Sequence, residues 1–414
     1  MNIVLIADVD FPEGMAATTH VVLMAKGIIK NGTPAIVVIP SKSFNGKFKT
    51  ENFLNEGTYD SINYKFFNEY PTIKNKFTFN NLKNVLDIAK FLKDRKQNRV
   101  EDVVVTYSND FLKYFPFFLC CYFYRIPLFA WEVEKRVSNK EIGSYRTVLQ
   151  QLGYRLSDII LPKISDGMIL ISSFLQSYYG RKIGISKTHI SPILVDPEAS
   201  EKRSELPSSN EIFKYISSVK DKNNIIVYSG SFGEKDGFPY ILKAFKLLLK
   251  DHPDSILITT GKPGKYNPIE KILEKTKKLG VEQKFKYLGL VTRDELKFIN
   301  ENANLLLVCR SKSEFATHGF PWKLGEYLMT KNPIVATKVG DIENYLKDKQ
   351  EIYLAQPENV KSIYFKMKEV FDNYALAKEV GIKGCRKAIS VFNYIDRAKD
   401  DLEFINNSLK GKLP

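Results

Sequence analysis

Short apolar runs recur along the whole chain, at residues 3–7, 35–39, 103–107, 168–171, 225–228, 256–259, 305–308 and 334–336, with longer stretches of helical spacing between them. Strand and helix in alternation leave few folds open. Each crossover returns the chain in one direction, so the strands pair in parallel and both faces of the sheet must be covered. Leu82, Val85, Leu86, Ala89 and Leu92 illustrate the helical spacing, falling at i, i+3, i+4, i+7 and i+10 on one side of a helix. Asn31-Gly32 and Gly280 supply helix stops. The alternation lapses only between Asp196 and Asn224, in a polar Ser/Pro-rich segment, and then restarts with a strand, a glycine-containing turn and a helix. The fold class expected is therefore α/β, with two Rossmann-like, doubly wound parallel-sheet domains facing across a cleft. Residues 1–200 form the first and 201–390 the second, and 391–414 make a helical segment that packs back towards the first. Ligands of such sheets bind beyond the carboxyl ends of the strands.

Composition narrows the function. With 44% hydrophobic and 26% charged residues, the chain has the material of an ordinary globular protein and is neither disordered nor collagen-like. Four cysteines without a CxxC spacing and four scattered histidines argue against a disulfide scaffold and against a metal site, and fit a reducing compartment. The formal charge of +15 points to an anionic partner or to the compositional bias of an AT-rich genome. Nucleic acid is not that partner, because the basic residues are dispersed and no recognised module occurs. Residues 1–7 read directly as a strand, so no signal peptide and a cytoplasmic location are expected. The most apolar stretch, residues 114–124, is bounded by Lys113 and Arg125 and interrupted by Pro116, whereas spanning a bilayer takes about 20 residues. It fits a buried helix or an interfacial one. Between Asn81 and Val100, six Lys or Arg face two Asp, which with the aromatic stretch predicts reversible contact with an anionic membrane at the inner face of the plasma membrane.

Three turns carry the chemistry. After the first strand, Gly14, Ala16 and Ala17 let a ligand approach the N-terminus of a helix that runs through Lys30. There is no GxGxxG and no GxxxxGK[ST], so neither a dinucleotide site nor a P-loop is supported. The second domain opens with Tyr228-Ser229-Gly230-Ser231-Phe232-Gly233-Glu234-Lys235-Asp236-Gly237, in which the glycines relax the loop and Lys235 can set a cation over a phosphate. The richest segment is His318-Gly319-Phe320-Pro321-Trp322-Lys323-Leu324-Gly325-Glu326. Pro321 suits the first position of a helix whose free N–H groups favour an anion, and Lys323 in the first turn is disfavoured by the dipole unless an anion binds there. Glu326 lies five residues past Pro321, about 7.5 Å along the axis, where a diphosphate at the helix tip would bring a ribose. A surface Lys323–Glu326 pair is the competing reading.

Together these residues resemble the family 4 glycosyltransferases, which have the two-Rossmann GT-B fold. The resemblance rests on the Pro12-Glu13-Gly14 turn, on Asp166-Gly167-Met168 with Pro192-Ile193-Leu194-Val195-Asp196, on the Gly230 to Gly237 turn, and above all on Gly319 to Leu328. It implies a retaining transfer of a sugar from a UDP- or GDP-linked donor to a hydroxyl of a glycan or lipid-linked glycan, in cell-surface polysaccharide biosynthesis. The leaving phosphate itself accepts the acceptor proton, and neither metal nor other cofactor is implied. Glu326 matches the second acid of the family's acidic pair, which holds the ribose hydroxyls, and Lys235 the lysine of the diphosphate turn. The catalytic set so implied is Lys235, Lys323, Glu326 and His318. Donor contacts fall to Gly230, Ser231, Gly233, Gly261, Arg310, Gly319, Phe320 and Pro321. Acceptor-side contacts fall to Gly14, His20, Asn109 and Glu132. Two positions depart from the family pattern: His318 stands eight before Glu326 in place of the first acid, and Ser231-Phe232 where many members carry an arginine. These departures motivate an alternative, a non-catalytic GT-B subunit that binds a glycan or scaffolds a complex. A nucleotide-sugar epimerase is a lesser one.

Overall fold

The computed structural model describes residues 1–42, 53–67, 79–135, 148–201, 204–233, 236–264 and 267–410, which divide into two compact units, Met1–Leu194 with Tyr394–Pro414, and Val195–Asn393.

The first unit is built on β1 (Asn2–Ile6), β2 (Ala35–Ile39), β3 (Glu56–Tyr59), β4 (Ile62–Phe66), β5 (Asp102–Thr106), β6 (Leu128–Glu132), β7 (Gly167–Leu170) and β8 (Thr188–Ile190). Their order is β3-β4-β2-β1-β5-β6-β7-β8, parallel except for the β3–β4 hairpin. The central strands are apolar on both faces, as a covered parallel sheet requires. The crossovers are α1 (Ala16–Lys30), α2 (Phe79–Gln97), α3 (Phe111–Phe123), α4 (Val148–Ile164) and α5 (Ser173–Ile183). From β4 onwards the chain moves one way along the sheet. Right-handed crossovers therefore put α2 to α5 on one face and α1, which joins strands that progress the other way along the sheet, on the opposite face. Asp110 starts α3 by accepting the Lys113 N–H, and Ser172 does the same for α5 with Leu175.

The second unit has β9 (Asn224–Ser229), β10 (Ser255–Thr260), β11 (Phe285–Tyr287), β12 (Leu305–Val308), β13 (Ile334–Thr337) and β14 (Tyr353–Ala355), all parallel, in the order β11-β10-β9-β12-β13-β14. Its helices are α6 (Glu211–Val219), α7 (Phe238–Leu248), α8 (Ile269–Leu279), α9 (Arg293–Glu301), α10 (Glu314–His318), α11 (Trp322–Met329), α12 (Ile342–Tyr345), α13 (Val360–Asp372) and α14 (Tyr374–Phe392). A Thr292/Glu295 capping box starts α9. Part of the polar segment expected to be a linker is helix α6: Asn210 caps it and also donates to Glu295 at 3.1 Å, tying it to α9. Pro321 stands one residue ahead of its expected place, as the N-cap of α11. The chain then returns to the first unit as α15 (Tyr394–Leu409), whose Tyr394, Ala398, Leu402 and Ile405 complete the core against α1.

Candidate functional site

In the second unit β9 lies between β10 and β12, so the chain winds one way from β9 and the other way from β12. The loops after these strands diverge, and doubly wound sheets take their ligands where they part. Two elements meet at this point. The end of β9 brings Tyr228, Ser229 and Gly230, and α11 brings Lys323, Glu326 and Tyr327. Tyr327 is fully buried, and its hydroxyl accepts the Ser229 N–H at 2.9 Å, which fixes α11 to the end of the strand. One turn earlier, the Lys323 Nζ lies 3.6 Å from Asp236 Oδ1 and 4.6 Å from the centre of the Tyr228 ring. The other Asp236 oxygen accepts the Ser231 hydroxyl at 2.5 Å.

The backbone here is crowded enough to require glycine. A Cβ at Gly230 would stand 2.4 Å from the Tyr228 hydroxyl and 2.7 Å from Lys323 Nζ. At Gly261, with φ +127°, it would stand 2.1 Å from the Gly230 carbonyl. The Gly230 N–H donates to Thr260 at 2.9 Å, so Gly230 shapes the turn through its missing side chain. Glu326 is exposed and, among the described residues, makes no hydrogen bond or ion pair. Surrounding protein pushes its carboxyl above the ordinary range, while Arg293 and Lys323 pull the other way.

Other expected donor residues sit deeper. Arg310 is buried, its Nη1 donating to the Gly319 carbonyl at 3.1 Å, and Thr337 donates to the Arg310 carbonyl at 2.9 Å. The guanidinium thus braces the entry to α11. Phe320 packs edge-on against Tyr345 and Phe392, each at 5.6 Å, and belongs to the interior. His318, expected to face a sugar, is only 1% exposed, with Nε2 3.3 Å from Glu314 Oε1. Gly319 and Pro321 form the turn into α11, Gly233 accepts the Asp236 N–H, and Lys235 lies outside the described residues.

The first sheet changes winding direction between β1 and β5. There the Asp8 N–H donates to Ser108 Oγ at 2.8 Å, and Asp8 Oδ2 accepts from Lys113 Nζ at 2.6 Å and the Tyr114 hydroxyl at 2.7 Å. Of the residues expected on the acceptor side, Asn109 and Gly14 lie in the same loops, after β5 and β1. His20 is in the core, 1% exposed, edge-on to Trp131 at 4.9 Å, and burial lowers its pKa to about 3, so the ring is neutral. Asn109 is buried and donates to the Trp131 carbonyl at 3.0 Å, and Glu132 is buried at the end of β6. A Cβ on Gly14 would meet Thr18 Oγ1 at 2.2 Å, so this glycine serves the packing of α1. Asp8, Lys113, Asp236 and Arg293 were not picked out in the sequence as site residues. The available signals were that Asp8 follows the end of β1 by two residues and that Asp236 lies in the glycine-containing turn between β9 and α7.

The fold is of the GT-B class, two parallel-sheet α/β units. The crystal structure of Anabaena HepE in complex with UDP-glucose matches with a TM-score of 0.72 at 14% identity, covering 98% of this chain and all of that one. Sucrose-phosphate synthase from Thermosynechococcus elongatus matches with a TM-score of 0.72 at 13% identity, covering 99% and 100%. At these identities the likeness establishes the fold alone. Within the second unit, residues 209–386 match the family described as glycosyl transferases group 1. An uncharacterized glycosyltransferase of Methanocaldococcus jannaschii is 20% identical over 188 residues, 45% of this chain. The matched region spans 46% of that relative, less than half its length.

Proposed function

We propose that this protein is a retaining, metal-independent hexosyltransferase that moves a sugar from a nucleotide-diphosphate donor to a hydroxyl of a glycan or lipid-linked glycan, in cell-surface polysaccharide biosynthesis. The observation that carries this reading is the placement of Lys323 over the Gly230 turn, with the exposed carboxylate of Glu326 one turn further along α11. A diphosphate lying on that turn would take Lys323 from Asp236. As the anomeric bond breaks, negative charge grows on the β-phosphate, and a cation already held there stabilises it without reorganisation. Glu326 as the carboxylate accepts hydrogen bonds from the two ribose hydroxyls; desolvation raises its pKa, and Arg293 and Lys323 oppose that rise. Lys235 belongs to the same diphosphate site in this reading. The UDP and UDP-glucose named in the HepE structures favour a uridine nucleotide over a guanosine one.

A thermal-shift panel of UDP- and GDP-sugars tests the donor, since a ligand at 100 times its Kd stabilises by about 2.7 kcal/mol. Transfer or hydrolysis of the selected donor is then followed with and without EDTA. Retained turnover in EDTA is expected, and a strict Mg²⁺ or Mn²⁺ requirement overturns metal independence. The burial of His318 favours a second reading, a non-catalytic glycan-binding subunit, because this side chain does not reach solvent where the family carries its first acid. Donor binding without turnover across a broad acceptor panel would support that reading.

A further inference from the structure

Helix α3 is apolar on every side. Lys113, its one charged residue, is paired with Asp8. A helix of this composition is ordinarily enclosed, and Tyr114, Phe117, Phe118, Cys120 and Cys121 are indeed buried between α2 and α4. The remaining side is not enclosed. Phe115, Leu119, Tyr122 and Phe123, at i, i+4, i+7 and i+8, are 37, 43, 66 and 73% exposed. The same face of the unit adds Leu86 from α2 and Leu152 and Ile159 from α4. Seven large apolar side chains exposed on three neighbouring helices mark an interaction site.

Its surroundings indicate the partner. On α2, exposed Lys83 and Lys90 share the stripe of Leu86, at i, i+3 and i+7. On α4, exposed Arg155 and Lys163 share the stripe of Leu152 and Ile159, and exposed Arg125 follows α3. An aromatic ridge flanked on both sides by cations complements the apolar boundary and negative headgroups of an anionic leaflet. Tyr122 and Phe123, large rings at the end of α3, suit headgroup depth. No helix among the described residues is long and apolar enough to cross a membrane, so the contact lies in the interface plane.

We infer that the α2–α3–α4 face docks the protein reversibly on anionic lipid, with the α3 ridge at the acyl boundary and Lys83, Lys90, Arg155 and Lys163 over headgroups. This inference rests on the proposed use of a lipid-linked acceptor. The test is co-sedimentation of the full chain with vesicles of phosphatidylcholine alone and of phosphatidylcholine with phosphatidylglycerol, at low and high salt. Binding is expected only with phosphatidylglycerol and to weaken with salt. Tyr122→Ser with Phe123→Ser should abolish it. Lys83→Gln with Lys90→Gln should weaken it about 25-fold, about five-fold for each charge. Thermal stabilisation by UDP-glucose should be the same in both variants as in the parent, which separates a failed surface from a failed donor site. No sedimentation with the anionic vesicles at low salt overturns the inference. So does a concentration-dependent mass without lipid that the serine variant removes, since a second copy would then cover the ridge.

Discussion

Replacing Lys323 by methionine keeps the aliphatic stem and removes the charge. In the free protein the lysine and Asp236, 3.6 Å apart, attract by about 4–5 kcal/mol at an effective dielectric of about 20, before desolvation and ordering are subtracted. Lys323 keeps 20% of its side-chain exposure, so the net contribution to stability should be about 1 kcal/mol or less. Catalysis should respond far more. If the cation meets the charge that grows on a leaving diphosphate, its loss costs about 2.7–4 kcal/mol, or 10²–10³ in turnover. Asp236 competes with the diphosphate for the same cation, so Asp236→Asn should tighten donor binding, by up to about five-fold for about 1 kcal/mol. Steady-state kinetics, donor titration by calorimetry and thermal melts of the two single variants and the double variant measure all of this. Turnover of Lys323→Met within about three-fold of the parent, against the factor expected for such a contact, would refute the electrostatic role. Weaker donor binding by Asp236→Asn at unchanged stability would refute the exchange of counter-ions.

Glu326→Gln should weaken donor binding yet stabilise the free protein at neutral pH, because desolvation raises this carboxyl in the folded state. That penalty is present above the folded pKa and disappears as pH falls to the unfolded value, so urea melts of parent and variant should converge in acid. His20 acts with the opposite sign. Its neutral ring titrates at about 3 when folded against 6.5 unfolded, so the first unit should lose about 3 kcal/mol between pH 7.5 and 4. Urea melts followed by Trp131 fluorescence in a Trp322→Phe background measure that loss, and His20→Phe should remove it. Gly261→Ala should cost about 3 kcal/mol or more through its positive φ and its contact with the Gly230 carbonyl. It should weaken donor binding as well, and an unchanged melting temperature would show that the two turns tolerate separation.

What the sequence made legible follows from what is local. The central strands, the span of α1 and the glycine turns announce themselves within a few residues, because a covered parallel strand is a continuous apolar run and a tight turn needs glycine. The three-residue strands β8, β11 and β14 carry too few residues to show a period. The hairpin β3–β4 reads as polar because β3 stays largely exposed. The site divides in the same way. Lys323 and Glu326 stand out through their place on a short helix, whereas the pairing of Asp236 with Lys323 joins segments far apart in sequence and is visible only once β9 and β12 are neighbours. His20 lies in the second turn of α1, and its burial beside Trp131 is decided by the sheet that the helix packs on, which no local spacing shows.

The first unit is discontinuous, and this has a consequence for biosynthesis. Its last helix is translated only after the whole of Val195–Asn393. Until then the side of α1 that carries Gly27, against which Tyr394 and Ala398 close so tightly that a Cβ would stand 2.4 Å from the Tyr394 carbonyl, is uncovered on the ribosome. The contiguous second unit is free to fold first, and the unit that began synthesis finishes last. A nascent chain arrested before residue 394 should therefore expose α1 to holdase chaperones and proteases even though its second unit is complete. Damage in α15 would then register as failure of the first unit, whose sheet lies before the second unit in sequence.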